Sequence, residues 1–187
     1  MKTSDKKNEI LDCAQALIQT RGYNGFSYAD ISITVGIRKA SIHHHFPTKI
    51  DLTVAVVERY RDLFNTCLLS IDIKENWLSK IKSYTELYQR ALDEDKLCLC
   101  GMLASDMQSL PVEVKRAVTV FLAVNAAWLT KVLVSHYTEI PKSRLINIAW
   151  YIINGLQGGA MMARILQNPT ILLASIEEMM SQLEHLS

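Results

Sequence analysis

The side chains whose types and spacing best suit a chemical task lie between positions 26 and 49. One short predicted helix there carries two bases, a hydroxyl and three imidazoles, on Arg38, Lys39, Ser41, His43, His44 and His45. Lys39 and His43 are four positions apart and therefore share one face of a helix. Arginine and lysine can pair with guanine O6 and N7, while serine or histidine can reach base edges or phosphate oxygens. These residue types in this pattern indicate recognition of DNA in the major groove.

A glycine turn between two short helices must position these side chains. Ser27 is a good N-cap for the first helix, with Asp30 at its N3 position, and Gly36 makes the turn. Ser27 and Tyr28 lie at a helix N-terminus, where free N–H groups favour a phosphate. Lys49 begins the following helix and offers another phosphate contact. The arrangement predicts a helix-turn-helix whose second helix enters the major groove.

The positive charge of the chain is concentrated at its N-terminal end. The protein has 187 residues and a net charge of only +1, whereas its first 50 residues carry seven bases and four acids. That quarter therefore has a charge of +3 and the remainder has −2. The small net charge excludes binding of nucleic acid by bulk charge. A locally basic end suits a DNA-reading head on a different kind of module.

Apolar residues recur at helical spacing along the chain, and no alternating strand pattern is present. The prediction is an all-α fold of about nine helices, with an N-terminal three-helix DNA-binding domain and a C-terminal helical domain for effector binding and dimerisation. The expected domains are residues 1–50 and 51–187, connected by a helix over about 48–69. Further helices are predicted over about 4–21, 38–44, 77–92, 97–108, 111–137, 143–166 and 170–186.

The glycine-turn motif resembles the N-terminal domain of the TetR family of transcriptional regulators. The matching positions run without a gap and are Gly22-Tyr23, Phe26-Ser27, Ile31, Val35-Gly36-Ile37, Ile42-His43-His44-His45-Phe46 and Lys49. The family usually has tyrosine where this chain has His43, and often serine or threonine in place of Arg38. The resemblance implies DNA contacts at Ser27, Tyr28, Arg38, Lys39, Ser41, His43, His44, His45 and Lys49. It also implies a homodimeric repressor that binds a roughly palindromic double-stranded operator and is released by a small-molecule effector.

The last two predicted helices are the expected dimer interface. A single recognition helix reads only a few base pairs, so useful specificity needs two copies. Gly155, Gly159 and Ala163 are spaced by four and form a strip of small residues that allows helices to approach closely. The expected interface residues are Ile148, Ile152, Gly155, Gly159, Ala163, Ile176 and Met180. The alternative interpretation is an ordinary contact between core helices of one chain.

The middle helices are the expected location of the effector pocket, by analogy with the family. An apolar cavity with a few polar anchors is typical of a small-molecule site. The candidates are Tyr84, Tyr88, Met102, Met107, Phe121, Asn125, Trp128, Trp150, Asn154 and Gln157. For each of these residues, ordinary packing in the core is the competing interpretation.

The four cysteines lack the pattern of a secreted disulfide framework, which predicts reduced thiols and a cytoplasmic protein. Cys98 and Cys100 lie at the start of a predicted helix, where the helix dipole lowers a thiol pKa. A repressor that senses thiol oxidation or electrophiles is therefore an alternative, and buried unreactive thiols are the other interpretation.

Adjacent residues on a helix point about 100° apart, so the three histidines cannot converge on one ion. No metal or other cofactor is expected.

A membrane span and an enzyme are the remaining classes. The stretch between Arg144 and Arg164 has no charge and approaches the roughly 20 residues of a spanning helix. Asn147, Asn154 and Gln157 interrupt it, and no second stretch of that length is expected to qualify, so we expect a buried interface helix and no membrane association. The charged N-terminal segment predicts no signal peptide.

The sequence has no glycine-rich phosphate loop, serine elbow or metal-ligand cluster, and no enzyme is predicted. A helical enzyme, or a scaffold with a vestigial DNA-binding head, stays open as a rival.

Overall fold

The structure, a computed structural model, describes residues 2–74 and 76–186. Within these ranges the chain forms nine helices and no strand. The helices are α1 Lys2–Arg21, α2 Tyr28–Val35, α3 Lys39–His45, α4 Lys49–Asp72, α5 Trp77–Asp93, α6 Leu99–Ser105, α7 Val112–Val134, α8 Lys142–Ile165 and α9 Thr170–Glu184. The all-α class predicted from the sequence is confirmed.

The N-terminal helices begin and end where the sequence supplies caps. Gly22 follows α1 with a φ of +77°, a left-handed conformation that glycine adopts without strain. Ser27 caps α2: its hydroxyl oxygen accepts a backbone N–H two residues later at 3.2 Å, and the Asp30 carboxylate accepts the Ser27 N–H at 2.8 Å. Thr48 and Asp51 repeat this reciprocal arrangement at the start of α4. The local sequence thus fixes where the helices of the predicted DNA-reading motif begin.

The later helices follow an asparagine cap and three prolines. Asn76 Oδ1 accepts backbone N–H groups in the first turn of α5, and Pro111, Pro141 and Pro169 immediately precede α7, α8 and α9. The predicted helix over 97–108 is shorter in the structure, because the backbone N–H of Asp106 bonds to a carbonyl only three residues earlier, at 3.1 Å. That tighter turn ends α6.

One compact unit contains the described chain up to Leu63 together with Cys98–Phe121. In it α1 packs against α2 and α6, and α2 packs against α3. Its core includes the fully buried Ile10, Ile31 and Ile42. Each such side chain contributes roughly 1.5–3 kcal/mol through removal from water. This packing holds the helices of the DNA-reading motif together.

The second unit contains Phe64–Leu97 and the described chain from Leu122 onward. Here α8 packs along α9, and both contact α5. Tyr84, Leu129 and Leu156 are completely buried in its core. The functional division into domains 1–50 and 51–187 is a different division from these packing units and stays a prediction.

One helix of the described chain, α7, is long and apolar enough to cross a membrane by length and composition. Half of its apolar window is buried inside the protein, and the core helix of a soluble protein passes the same test. The stretch 144–164, considered from the sequence, does not pass. The expectation that no other stretch would qualify is therefore wrong, because the charges of α7 lie near its ends and leave its middle apolar.

Candidate nucleic-acid interface

The turn between α2 and α3 is set by one glycine and two buried isoleucines. Gly36 has a φ of +68°, in the left-handed region that favours glycine. Ile31 on α2 and Ile42 on α3 are both 0% exposed and hold the two helices to the core. The Ser32 hydroxyl donates to the carbonyl oxygen of Ile37 at 2.6 Å, which adds a contact across the turn. The helix-turn-helix geometry therefore follows from residues that do not themselves face DNA.

The outer side of α3 presents the predicted reading residues. Arg38, Lys39, Ser41, His43 and His44 are all exposed on or beside this helix. Within the described chain, the side chains of Arg38, Lys39 and Ser41 form no hydrogen bond or ion pair. Two bases and a hydroxyl without intrachain partners are available for base edges and phosphates.

The two other histidines of the triplet differ from His44 in their surroundings. The His43 ring lies 4.7 Å from the Tyr28 ring, and its Nδ1 lies 3.0 Å from the carbonyl oxygen of Pro47. His45 is half-buried, with its ring 6.4 Å from that of Phe46. His43 is thus held in place by two other residues, whereas His45 turns partly toward the core.

Tyr28 directs its hydroxyl to carbonyl groups of its own chain, whereas its predicted phosphate contact is through backbone N–H groups at the start of α2. The hydroxyl lies 2.8 Å from the carbonyl oxygen of Phe46 and 2.6 Å from that of Thr48, both acceptors. Burial raises the pKa of Tyr28 to about 12. The residue ties α2 to the segment between α3 and α4, and only its backbone remains suited to the predicted phosphate contact.

Lys49 also turns inward, and its phosphate contact stays a prediction. Its ammonium donates to the carbonyl oxygen of Phe26 at 2.5 Å. The same nitrogen lies 4.2 Å from the centre of the Phe26 ring and 4.6 Å from that of Tyr23. Burial lowers the pKa of Lys49. The carbonyl oxygen and the two aromatic rings give the cation partners inside the chain, so Lys49 holds the start of α4 to the α1–α2 loop.

A surface cleft of about 550 Å³ lies beside α3 and extends the candidate interface. It is lined by Lys6 of α1 together with Ile37, Arg38, Ala40, Ser41, His44 and His45. Lys6 pairs with Glu9 at 2.7 Å, on an exposed part of α1. The sequence prediction missed Lys6, because only the packing of α1 brings its side chain to the same cleft as Arg38.

Comparison with known proteins identifies this architecture. The family described as bacterial regulatory proteins, tetR family, matches residues 10–56. The structure of a TetR transcriptional regulator from Legionella pneumophila is 35% identical, covers 96% of this chain and 97% of its own, and superposes with a TM-score of 0.90. The chain belongs to the TetR family of transcriptional regulators. A TetR-family regulator from Agrobacterium tumefaciens is 30% identical over 97% of this chain and 98% of its own, with a TM-score of 0.91.

Two curated TetR-type regulators match over less than half of their own length. CymR of Pseudomonas putida is 25% identical over 93 residues, which is 50% of this chain and 43% of CymR. IcaR of Staphylococcus aureus, a negative transcriptional regulator of a biofilm operon, is 32% identical over 83 residues, 44% of this chain and 42% of IcaR. The chain therefore spans less than half the length of these two relatives.

The α1–α2 loop of this TetR-family protein is tied to the end of α6 by Asp106. Its Oδ2 accepts the backbone N–H of Tyr23 at 2.7 Å and that of Asn24 at 3.4 Å. The Asn24 amide also donates to the Ser109 hydroxyl at 2.7 Å. A Cβ at Gly22 would lie 2.8 Å from the same Oδ2, so a larger residue would have to displace this carboxylate as well as adopt the positive φ. Gly22 was the available sequence signal, and nothing in the sequence marked Asp106 as its partner.

The structure brings together five of the ten predicted effector residues. Tyr84 stacks on Trp128 with ring centres 5.6 Å apart and hydrogen-bonds Asn125 at 3.2 Å. Gln157 donates to the Tyr88 hydroxyl at 3.4 Å, and the Tyr84 and Tyr88 rings are 5.8 Å apart. These residues form a packed aromatic cluster with two amide side chains.

The other five candidates differ from this cluster in packing unit or in exposure. Met102, Met107 and Phe121 belong to the N-terminal packing unit, where Phe121 contacts the ring of Tyr60 at 5.4 Å. Trp150 and Asn154 are exposed on α8. The exposure of Trp150 and Asn154 does not suit a buried pocket, whereas a place in the pocket for Met102, Met107 and Phe121 stays a prediction.

The predicted dimer strip is used inside one chain. A Cβ at Gly155 would meet Met179 at 3.1 Å, and one at Gly159 would meet Leu172 at 3.2 Å, both on α9. The side chains of Ile152, Ala163 and Ile176 are at most 7% exposed, while Ile148 and Met180 are half-buried. Ile152, Gly159 and Ala163 are covered by their own chain, and a dimer contact through this strip stays a prediction. The small residues allow α8 and α9 of the same chain to approach closely.

The outer face of α8 is exposed. It carries Trp150, Tyr151, Asn154, Gly158 and Met162. These positions recur at helical spacing, and a Cβ at Gly158 would meet nothing within 4 Å. This set, named here the outer α8 face, offers aromatic and apolar surface that the described chain leaves uncovered.

The thiols at the start of α6 do not have the environment of a reactive cysteine. Cys98 is 5% exposed and Cys100 is 0% exposed. Burial raises the pKa of Cys100 well above its ordinary value, opposite to the lowering expected from a helix N-terminus. The expectation of a lowered thiol pKa is wrong for Cys100, because α6 begins inside the core. Across the described residues, no group of three histidine, cysteine or acidic side chains could hold a metal ion.

Proposed function

We propose that this TetR-family protein is a transcriptional repressor that binds DNA selectively through α3. The observation that carries the proposal is the set of exposed bases and a hydroxyl on α3, Arg38, Lys39 and Ser41, which have no intrachain partner in the described chain. The buried isoleucines and the glycine turn hold this helix rigidly, as base readout requires. Repression, rather than activation, is supported by the matching negative regulator IcaR.

A homodimer would supply the second reading helix. Because α3 has only seven residues, one copy spans few base pairs, and two copies in successive major grooves would read a two-fold symmetric operator. We assign the dimer contact to the outer α8 face. Trp150, Tyr151 and Met162 supply apolar surface there, and Gly158 permits close approach of a partner helix.

A small-molecule effector would bind the C-terminal unit and release the DNA. The aromatic cluster around Tyr84 and Trp128 has the chemistry of such a site, with Asn125 and Gln157 as polar anchors. The proposed ligand is aromatic or apolar and carries a hydrogen-bonding group, to complement the chemistry of these side chains. Release requires that the effector bind the conformation with low DNA affinity more tightly than the DNA-bound one. The proposed place of action is the cytoplasm, where the DNA and reduced thiols are found.

Selection of bound duplexes from a random pool tests this proposal. The purified protein, Lys39→Ala and the control Lys82→Ala would each be used at two salt concentrations. Lys82 is an exposed lysine on α5, so its removal matches the loss of charge without touching α3. The expected result is one symmetric site enriched by the wild type and by Lys82→Ala, and weakened at the contacted base pair in Lys39→Ala. Binding without any enriched sequence would contradict selective reading.

A further inference from the structure

His43 occupies a fixed orientation on the reading face of α3. Its Nδ1 lies 3.0 Å from the carbonyl oxygen of Pro47, and its ring lies 4.7 Å from the ring of Tyr28. Tyr28 is itself anchored through its hydroxyl to the carbonyl oxygens on either side of Pro47. The imidazole is therefore held by two contacts that do not involve DNA, although His43 remains exposed.

This contact determines which ring nitrogen carries the hydrogen. A carbonyl oxygen has lone pairs and no hydrogen, so it can only accept, and Nδ1 must donate to it. In the neutral imidazole the other nitrogen, Nε2, then has a lone pair and no hydrogen. A phosphate oxygen is also only an acceptor, so neutral His43 cannot hydrogen-bond to the DNA backbone through Nε2.

The major groove offers two kinds of donor to such a nitrogen, the N4 amino group of cytosine and the N6 amino group of adenine. We propose that neutral His43 is a specificity-determining residue that accepts a hydrogen bond from one of these amino groups. The inference rests on the DNA-reading function proposed above and names the base chemistry read at one position. A tyrosine hydroxyl at the same place would both donate and accept, and would lack this selectivity.

Protonation would reverse the preference. With hydrogen on both nitrogens, His43 donates through Nε2 and suits a phosphate oxygen or the guanine O6 and N7 acceptors. Tyr28 faces the ring from α2, Lys39 lies one turn earlier on α3, and Asp51 lies at the start of α4 close enough to Tyr28 to influence its pKa. The amino-group contact therefore requires the neutral imidazole.

The tautomer can be tested on the wild-type protein alone, without DNA or substitution. Nitrogen-15 NMR of the imidazole distinguishes a protonated Nδ1 from a protonated Nε2. At pH 8 the expected result is hydrogen on Nδ1 of His43 and none on Nε2. Hydrogen on Nε2 at that pH would overturn the proposal, because the nitrogen facing solvent would then be a donor.

The base contact is tested with the selected operator and duplexes that lack one amino group. Single adenines are replaced by purine, and single cytosines by 2-pyrimidinone, across the half-site. At one position the loss should weaken wild-type binding at pH 8 by roughly threefold to tenfold, the range for one neutral hydrogen bond. His43→Ala should bind both duplexes equally, while the control His44→Ala should retain the difference.

The outcomes separate this inference from the proposed function. If the wild type enriches no site, the DNA-reading function is refuted and the role of His43 falls with it. If a site is enriched but every amino-group deletion affects wild type and His43→Ala alike, only the role of His43 is refuted. If removal of one amino group weakens binding by the wild type and by His44→Ala equally, and does not weaken binding by His43→Ala, the role of His43 is supported.

Discussion

Removal of the Asp106 carboxylate should loosen the α1–α2 loop and lower the stability of the N-terminal packing unit. The carboxylate accepts the Tyr23 N–H at 2.7 Å and the Asn24 N–H at 3.4 Å. A hydrogen bond to a charged group contributes about 1.5–3 kcal/mol, and the longer second bond adds little. Because Asp106 is half-buried, we expect Asp106→Ala to lower the free energy of unfolding by about 2 kcal/mol. Asp106→Asn retains an acceptor oxygen and should cost about 1 kcal/mol.

Two measurements would check this expectation. Urea unfolding followed by helical circular dichroism gives the free energy of unfolding, and amide hydrogen exchange reports directly on the Tyr23 N–H. The matched control is Glu58→Ala, since Glu58 is an exposed acid on α4 with no partner in the described chain. If Asp106→Ala unfolds like Glu58→Ala and exchange at Tyr23 is unchanged, the hydrogen bond does not hold the loop in solution and the reasoning is refuted.

Four further changes have defined outcomes. Gly36→Ala should lower stability by about 1–2 kcal/mol in urea unfolding, because alanine must adopt a positive φ. Tyr28→Phe should cost about 1 kcal/mol. Since burial raises the Tyr28 pKa to about 12, this contribution should be complete below the ordinary tyrosine pKa of about 10 and disappear as pH rises through 12. Peroxide should affect DNA binding by wild type and Cys100→Ser equally, because that thiol is buried. Gly158→Leu should raise the dimer dissociation constant at least about tenfold in sedimentation, and unchanged dimerisation would place the interface elsewhere.

The helix-turn-helix could be predicted because its determinants are local. Ser27, Gly36 and Thr48 act within a few residues of their own positions, through caps and one left-handed turn. Their effects do not depend on what the rest of the chain does. The predicted position and type of α2, α3 and α4 therefore agree with the structure to within a few residues.

The direction of individual side chains could not be predicted in the same way. Lys49 has the residue type of a phosphate contact, but Tyr23 and Phe26, more than twenty positions earlier, attract its ammonium inward. Gly159 has the spacing of a dimer contact, but Leu172 of the same chain occupies the space beside it. In both cases a partner distant in sequence determines where the residue makes its contact. The periodicity of the sequence carries no information about that partner.

The pKa of a buried thiol could not be predicted from the local sequence either. The position of Cys100 near a helix start suggested a lowered pKa, yet its pKa is raised because the thiol is completely buried. Desolvation opposes the charged thiolate more strongly than one short helix favours it. Burial depends on how α6 packs against α1, which the local sequence does not reveal.

The central claim is that α3 reads DNA selectively, and the affinity ratio between the selected operator and a scrambled duplex of equal composition tests it most directly. At physiological salt the wild type should prefer the operator by at least about 10³-fold, the lower end for specific DNA-binding proteins. Lys39→Ala should lose roughly one to two powers of ten of that ratio, the discrimination of one bidentate base contact, while Lys82→Ala keeps it. A ratio near one for the wild type would contradict the assignment of α3 as a sequence-reading helix.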